Sequence, residues 1–136
     1  MNKKIQAIIC LKNSNLFLLL KRRKDGKWSN LTGNVKTNET IKHALYREIK
    51  EETQISKKDI ISIFPLFCFK YKKKNETFEE TVFLVRVKTT RIDISKNPDK
   101  EHLGFAWLET KDAIKLLNHK QMKLGIEISS LINKKQ

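Results

Sequence analysis

The chain opens on two β-rich apolar runs, Ile5–Leu11 and Leu16–Lys21, separated by the polar tetrad Lys12-Asn13-Ser14-Asn15. The tetrad carries turn-forming residues, so both runs are assigned to a central sheet and joined by a hairpin or short connection. Arg22–Asn38 is polar and holds Gly26, Trp28 and Gly33; it is expected to be loop with one short extended piece near Trp28–Val35. The period then changes. From Glu39 to about Thr53 there is no Gly or Pro, and Ile41, Ala44, Leu45 and Ile49 recur at helical spacing, with Asn38 as the expected N-cap. Ile60–Lys74 and Glu80–Arg91 are rich in Ile, Phe, Val and Thr and flank a polar turn at Lys72-Lys73-Lys74-Asn75-Glu76, which predicts two further strands. Leu103–Leu108, with Trp107, predicts another. A helical region starts at Thr110 or Lys111 and runs through Ala113, Ile114 and Leu117, and an amphipathic segment follows from about Lys120 to Ile132. Strands on both sides of a long helix, with helices at the end, give the expected class: an α/β sandwich around a mixed sheet.

At 136 residues the chain is expected to form one domain, residues 1–136, without repeats or a low-complexity linker. Its apolar runs fall well short of the roughly 20 residues a membrane helix needs, and no signal segment opens it, so a cytoplasmic protein is expected. Cys10 and Cys68 stand alone in apolar stretches, which suggests neither a disulfide framework nor a zinc site and predicts two buried free thiols. The formal net charge of +14 favours polyanions such as phosphorylated small molecules. Nucleic acid is not the expected partner, because the basic patches read as lacking interleaved aromatics.

The long helix carries the chemistry. At about 100° per residue, Glu48 and Glu52 fall within the arc of Ile41, Ala44, Leu45 and Ile49, and Glu51 flanks it. Ionised carboxylates on an inward face cost several kcal/mol each unless a cation or donors compensate. Glu48 and Glu52, one turn apart, can converge on one ion, and oxygen ligands select a hard cation, so Mg²⁺ is expected with Mn²⁺ as a substitute. Arg47 and Glu51 are spaced for an ion pair that organises the cluster.

With Gly33, Glu39, Arg47, Glu48, Ile49, Glu51, Glu52 and Ile55, the segment resembles the box of the Nudix hydrolase family, G-x5-E-x7-R-E-U-x-E-E-x-G-U, with U aliphatic. Gln54 stands where the pattern has its second Gly; keeping a left-handed conformation there costs a non-Gly residue about 1–2 kcal/mol. The resemblance implies an α/β/α sandwich and metal-assisted cleavage of phosphoanhydrides by water. Carried over by position, Glu48 and Glu52 are principal metal ligands, Glu51 an auxiliary one, the Thr32 carbonyl a further ligand and Glu39 a supporting carboxylate. Glu101 is the candidate base or extra ligand outside the helix.

Trp28-Ser29-Asn30-Leu31-Thr32-Gly33-Asn34-Val35, the basic Lys21-Arg22-Arg23 and the Glu101-His102-Leu103 stretch are similar to the branch of that family acting on dihydroneopterin triphosphate, an early step in folate synthesis. By that likeness Arg22 and Thr32 contact the triphosphate, Lys4 (or Lys3) also does so, and Trp28 stacks on the ring or packs in the core or the loop. His102 and His119 read as structural or surface residues. The alternatives are a nucleotide-pool hydrolase acting on dNTPs or 8-oxo-dGTP, and an RNA-binding or cap-processing protein on the same fold. The chain is expected to be a monomer or homodimer.

Overall fold

The computed structural model describes residues 1–97 and 99–134. Seven strands, β1 (Asn2–Leu11), β2 (Leu16–Arg22), β3 (Trp28–Ser29), β4 (Leu31–Asn34), β5 (Ile60–Lys73), β6 (Glu76–Val87) and β7 (His102–Glu109), form one sheet. Three α-helices accompany it: α1 (Ile41–Thr53), α2 (Thr110–Leu116) and α3 (Lys120–Lys134). The expected α/β sandwich around a mixed sheet is the observed fold. No helix among the described residues is long and apolar enough to cross a membrane.

The centre of the sheet is β1, whose residues Ile5–Cys10 are all buried. It runs parallel to β6 from Asn2↔Phe78 to Leu11↔Val87. On its other edge it pairs with two strands in turn: β2 at Cys10↔Phe17, then β4 from Ala7↔Leu31 to Lys4↔Asn34. Side chains alternate across a strand, and here they feed two cores. Ile5, Ala7 and Ile9 join Ala44, Leu45 and Ile49 of α1, whereas Ile8 and Cys10 join Ala113, Met122 and Ile126 on the side of α2 and α3. Gln6 is the one polar residue in this buried run, and it shares the second side.

Three sequence expectations are corrected. Helix α1 is capped by Thr40, not Asn38: the Thr40 hydroxyl accepts from the His43 amide at 3.1 Å, while Asn38 sits in a preceding turn at φ 65°. The polar turn between β5 and β6 shrinks to Lys74-Asn75, both at positive φ (50° and 65°), the two-residue arrangement that matches strand twist, so β6 starts at Glu76. Cys10 is buried, but Cys68 is exposed, since β5 forms an edge of the sheet and is covered less than its apolar sequence suggests. At the end of α1, Gln54 keeps the left-handed conformation (φ 65°), with its N–H bonded to the Lys50 carbonyl.

Candidate active site

Glu52, on the last turn of α1, is 2% exposed. One carboxylate oxygen, Oε1, is hydrogen-bonded with His102 Nε2 at 2.5 Å; the other, Oε2, has no partner among the described residues. A buried carboxylate with one oxygen unpaired is strongly disfavoured as a charge unless a cation or a donor compensates it. Burial first, and then the neighbouring Glu48 carboxylate, push the Glu52 carboxyl up to about 10. Bound cations invert such shifts, so the donor set fits a divalent ion.

Glu48 is placed by a close approach of α1 to β4: a Cβ added to Gly33 would lie 2.3 Å from Cδ of Glu48. Arg47 gathers the rest. It donates from Nε and Nη2 to Glu39 at 2.7 and 2.9 Å, from Nη2 to the Asn34 carbonyl at 2.8 Å, and from Nη1 to Glu48 at 2.8 Å. Its contact with Glu51, the pair legible from the spacing, is looser at 3.3 Å. The guanidinium holds the Glu39 carboxyl well below the usual carboxylate range. Arg47 thus ties α1 to the loop before it and leaves Glu52 to face the interior.

Glu101 and His102 enter from the start of β7. The Arg23 amide donates to the Glu101 carbonyl at 2.8 Å, and Arg22 stands opposite His102 across a bulge in the β2–β7 pairing. The ligand atoms of Glu52, Glu101 and His102 all lie within 4.8 Å of one another. Desolvation, followed by the charges of Glu48, Asp99 and Glu51, raises the Glu101 carboxyl, while burial, followed by Arg22, lowers His102. A neutral His102 hydrogen-bonded with Glu52 fixes the carboxylate's orientation, as partners of metal ligands commonly do. His102 was expected to be structural or surface; the fold instead puts it against the central carboxylate. No spacing rule announces that contact, which spans fifty positions of sequence.

A cavity of about 910 Å³ opens beside this cluster. Of the residues singled out from sequence, Lys4, Arg22, Thr32, Glu52 and Glu101 line it. Glu48 and Glu51 are not part of its wall, and Trp28 packs with the core cluster under α2 and α3 instead of lining it. Arg22 also pairs with Asp25 at 3.2 Å. On the far wall stand residues that sequence reading passed over: Gln6, Glu80 and the row Phe69, Tyr71 and Phe78, with neighbouring ring centroids 5.7 and 5.3 Å apart. Lys70 and Lys72 alternate with these rings on β5, so the basic patch does interleave with aromatics. Converging carboxylates, cations and stacked rings on one cavity suit a phosphorylated ring compound held with a hard cation.

A family model described as NUDIX domain matches residues 2–126. The chain is 28% identical to the dihydroneopterin triphosphate diphosphatase of Haemophilus influenzae, over 85% of this chain and 78% of that protein. It is 27% identical to the nucleoside triphosphatase NudI of Klebsiella pneumoniae, over 79% and 84%. The solved dihydroneopterin triphosphate pyrophosphohydrolase of E. coli shares the fold with a TM-score of 0.80 at 22% identity, covering 93% of this chain and 92% of that one.

Proposed function

The chain belongs to the Nudix family of pyrophosphohydrolases, and from that premise we propose that it cleaves dihydroneopterin triphosphate to dihydroneopterin monophosphate and pyrophosphate. The observation that carries the reading is the buried, unpartnered Oε2 of Glu52 at the wall of a cavity that also holds Arg22 and Lys4. The likeness to the Haemophilus influenzae enzyme supports the pterin as substrate.

Glu52 and Glu48, with Glu51, Glu101 and the Thr32 carbonyl, are the proposed ligands of Mg²⁺. Bound there, the ion supplies neutralisation of phosphate charge and acidification of the attacking water. His102 orients Glu52 by its hydrogen bond. Arg47 holds Glu48 in place while its own charge is spent on Glu39, outside the cavity. Arg22 and Lys4 bind the phosphate chain, Arg through its planar fork and Lys as a point charge. Glu101, whose carboxyl is raised by desolvation and then by its acidic neighbours, lines the cavity and serves either as that extra ligand or as the base that takes a proton from water.

A second reading, a purine nucleoside triphosphate as substrate, is supported by the likeness to the Klebsiella pneumoniae nucleoside triphosphatase. Pyrophosphate release with Mg²⁺ and with EDTA, comparing kcat/KM for dihydroneopterin triphosphate, the dNTPs and 8-oxo-dGTP, separates the two. Preference for the pterin is expected; preference for a nucleotide installs the second reading, and no metal-dependent release from any of them overturns both.

A further inference from the structure

On the same cavity a second carboxylate is buried, outside the glutamate cluster and in no ion pair among the described residues. Glu80 on β6 is 5% exposed and lines the cavity. Gln6 Nε2 donates to its Oε2 at 2.7 Å and the Tyr71 hydroxyl to its Oε1 at 3.3 Å. Among the described residues it forms no ion pair, although Lys4, opposite it in register across β1 and β6, lines the same cavity. Gln6 is itself fixed, since its Oε1 accepts from Asn30 Nδ2 at 2.9 Å.

Each oxygen of a carboxylate accepts two hydrogen bonds, so Glu80, with one donor on each, has one further site on each oxygen. Burying a charge with half its accepting capacity unused is costly, and a ligand offering two parallel donors removes that cost. The walls beside it are flat and apolar: Phe78, two residues along the same face of β6, stacks on Tyr71 at 5.3 Å and 13°. Burial, and then Glu80 itself, push the Tyr71 hydroxyl up to about 12, which keeps it a donor throughout the neutral range.

The location suits the ring of the substrate. Thr32 on β4 and Glu80 on β6 flank β1 on its two edges, so two strand spacings, about 10 Å, separate the strand beside the glutamate cluster from the strand of Glu80.

Resting on the hydrolase reading above, we propose that Glu80, held by Gln6 and Tyr71, selects the substrate's ring by accepting two parallel hydrogen bonds from a ring N–H and the adjacent exocyclic amine. That is the 2-amino-4-oxo edge, shared by pterins and guanine. Adenine presents an acceptor nitrogen next to its amine and is repelled, while hypoxanthine keeps the N–H but lacks the amine.

The test compares kcat/KM for dihydroneopterin triphosphate, dGTP, dITP and dATP in the native protein and in Glu80→Gln. The native enzyme is expected to favour dGTP over dITP by at least about tenfold, the worth of one hydrogen bond to a charged group, and to reject dATP further. In Glu80→Gln, which keeps one acceptor and turns the other into a donor, the dGTP-to-dITP ratio is expected to fall to within about threefold of unity. The ratio of the pterin to dGTP tells which source of the edge is used. A native enzyme that treats dGTP and dITP alike, with no variant involved, overturns the proposal, as does an unchanged ratio in Glu80→Gln. Binding of neopterin, followed by its own fluorescence without metal or turnover, should weaken at least tenfold in Glu80→Gln. If no triphosphate is cleaved but neopterin binding still depends on Glu80, the hydrolase reading fails and the ring assignment stands; if neopterin binding is indifferent to Glu80, the ring assignment fails.

Discussion

Nε2 of His102 meets Oε1 of Glu52 at 2.5 Å, leaving Oε2 of the same buried carboxylate without a partner among the described residues. The histidine therefore orients the carboxylate proposed above as a metal ligand. His102→Gln, which keeps a donor on a differently shaped side chain, should weaken Mn²⁺ binding by about 10–100-fold, the usual effect of removing such a partner. Titration of Mn²⁺ followed by electron paramagnetic resonance measures this; an unchanged affinity removes His102 from the site.

The raised Glu52 carboxyl has a pH signature. In the folded, metal-free protein it binds its proton up to about 10, against 4.5 for the ordinary group. Between those values the native state holds more protons than the unfolded chain, so this group's contribution to stability is fully present below pH 4.5 and is lost as pH rises towards 10. The thermal midpoint in EDTA should fall from pH 6 to pH 9, and the gain in midpoint on adding Mg²⁺ should grow over the same range, because the ion replaces the proton. Differential scanning calorimetry checks both; an Mg²⁺ gain that shrinks with pH is the contrary result.

Gly33 is required by contact. Since a Cβ there would lie 2.3 Å from Cδ of Glu48, Gly33→Ala should displace that carboxylate and lower kcat by about 10²-fold. The overpacking should cost about 1–3 kcal/mol of stability by urea unfolding, leaving a folded protein. Wild-type turnover in the variant would mean that Glu48 is not needed where it lies.

Gln54 holds a left-handed conformation that favours glycine. Gln54→Gly should therefore stabilise the fold by about 1 kcal/mol, raising Tm by roughly 3–4 °C, with little change in kcat, because the residue caps α1 away from the cavity wall. A lower Tm would show that its side-chain contact to the Glu51 carbonyl at 3.4 Å outweighs the backbone strain.

Much of this was legible in the chain, for a physical reason that also explains what was not. Helix α1 and its inward carboxylates follow from local periodicity, and Glu52 lies where the wheel places it. Contacts that depend on how strands are brought together leave no local trace: His102 reaches Glu52 only because β7 pairs with β2, and Arg47 prefers Glu39 over Glu51 because the loop folds back over α1. The ring wall left a fainter signal. Gln6 interrupts an apolar run in the central strand and Glu80 precedes another, and a polar residue in such a place asks for a partner. Of the two places open to Trp28, on the substrate ring or in packing, the fold takes packing, against the core under α2 and α3.

The most direct measurement is steady-state pyrophosphate release at saturating Mg²⁺ by the native protein and by Glu52→Gln, with circular dichroism confirming that both are folded. Because the substitution keeps the shape of the side chain and removes the charge proposed to hold the ion, kcat/KM should drop by at least about 10²-fold at unchanged fold. Near-native turnover from folded Glu52→Gln would contradict the placement of the metal, and with it the reaction assigned to this cavity.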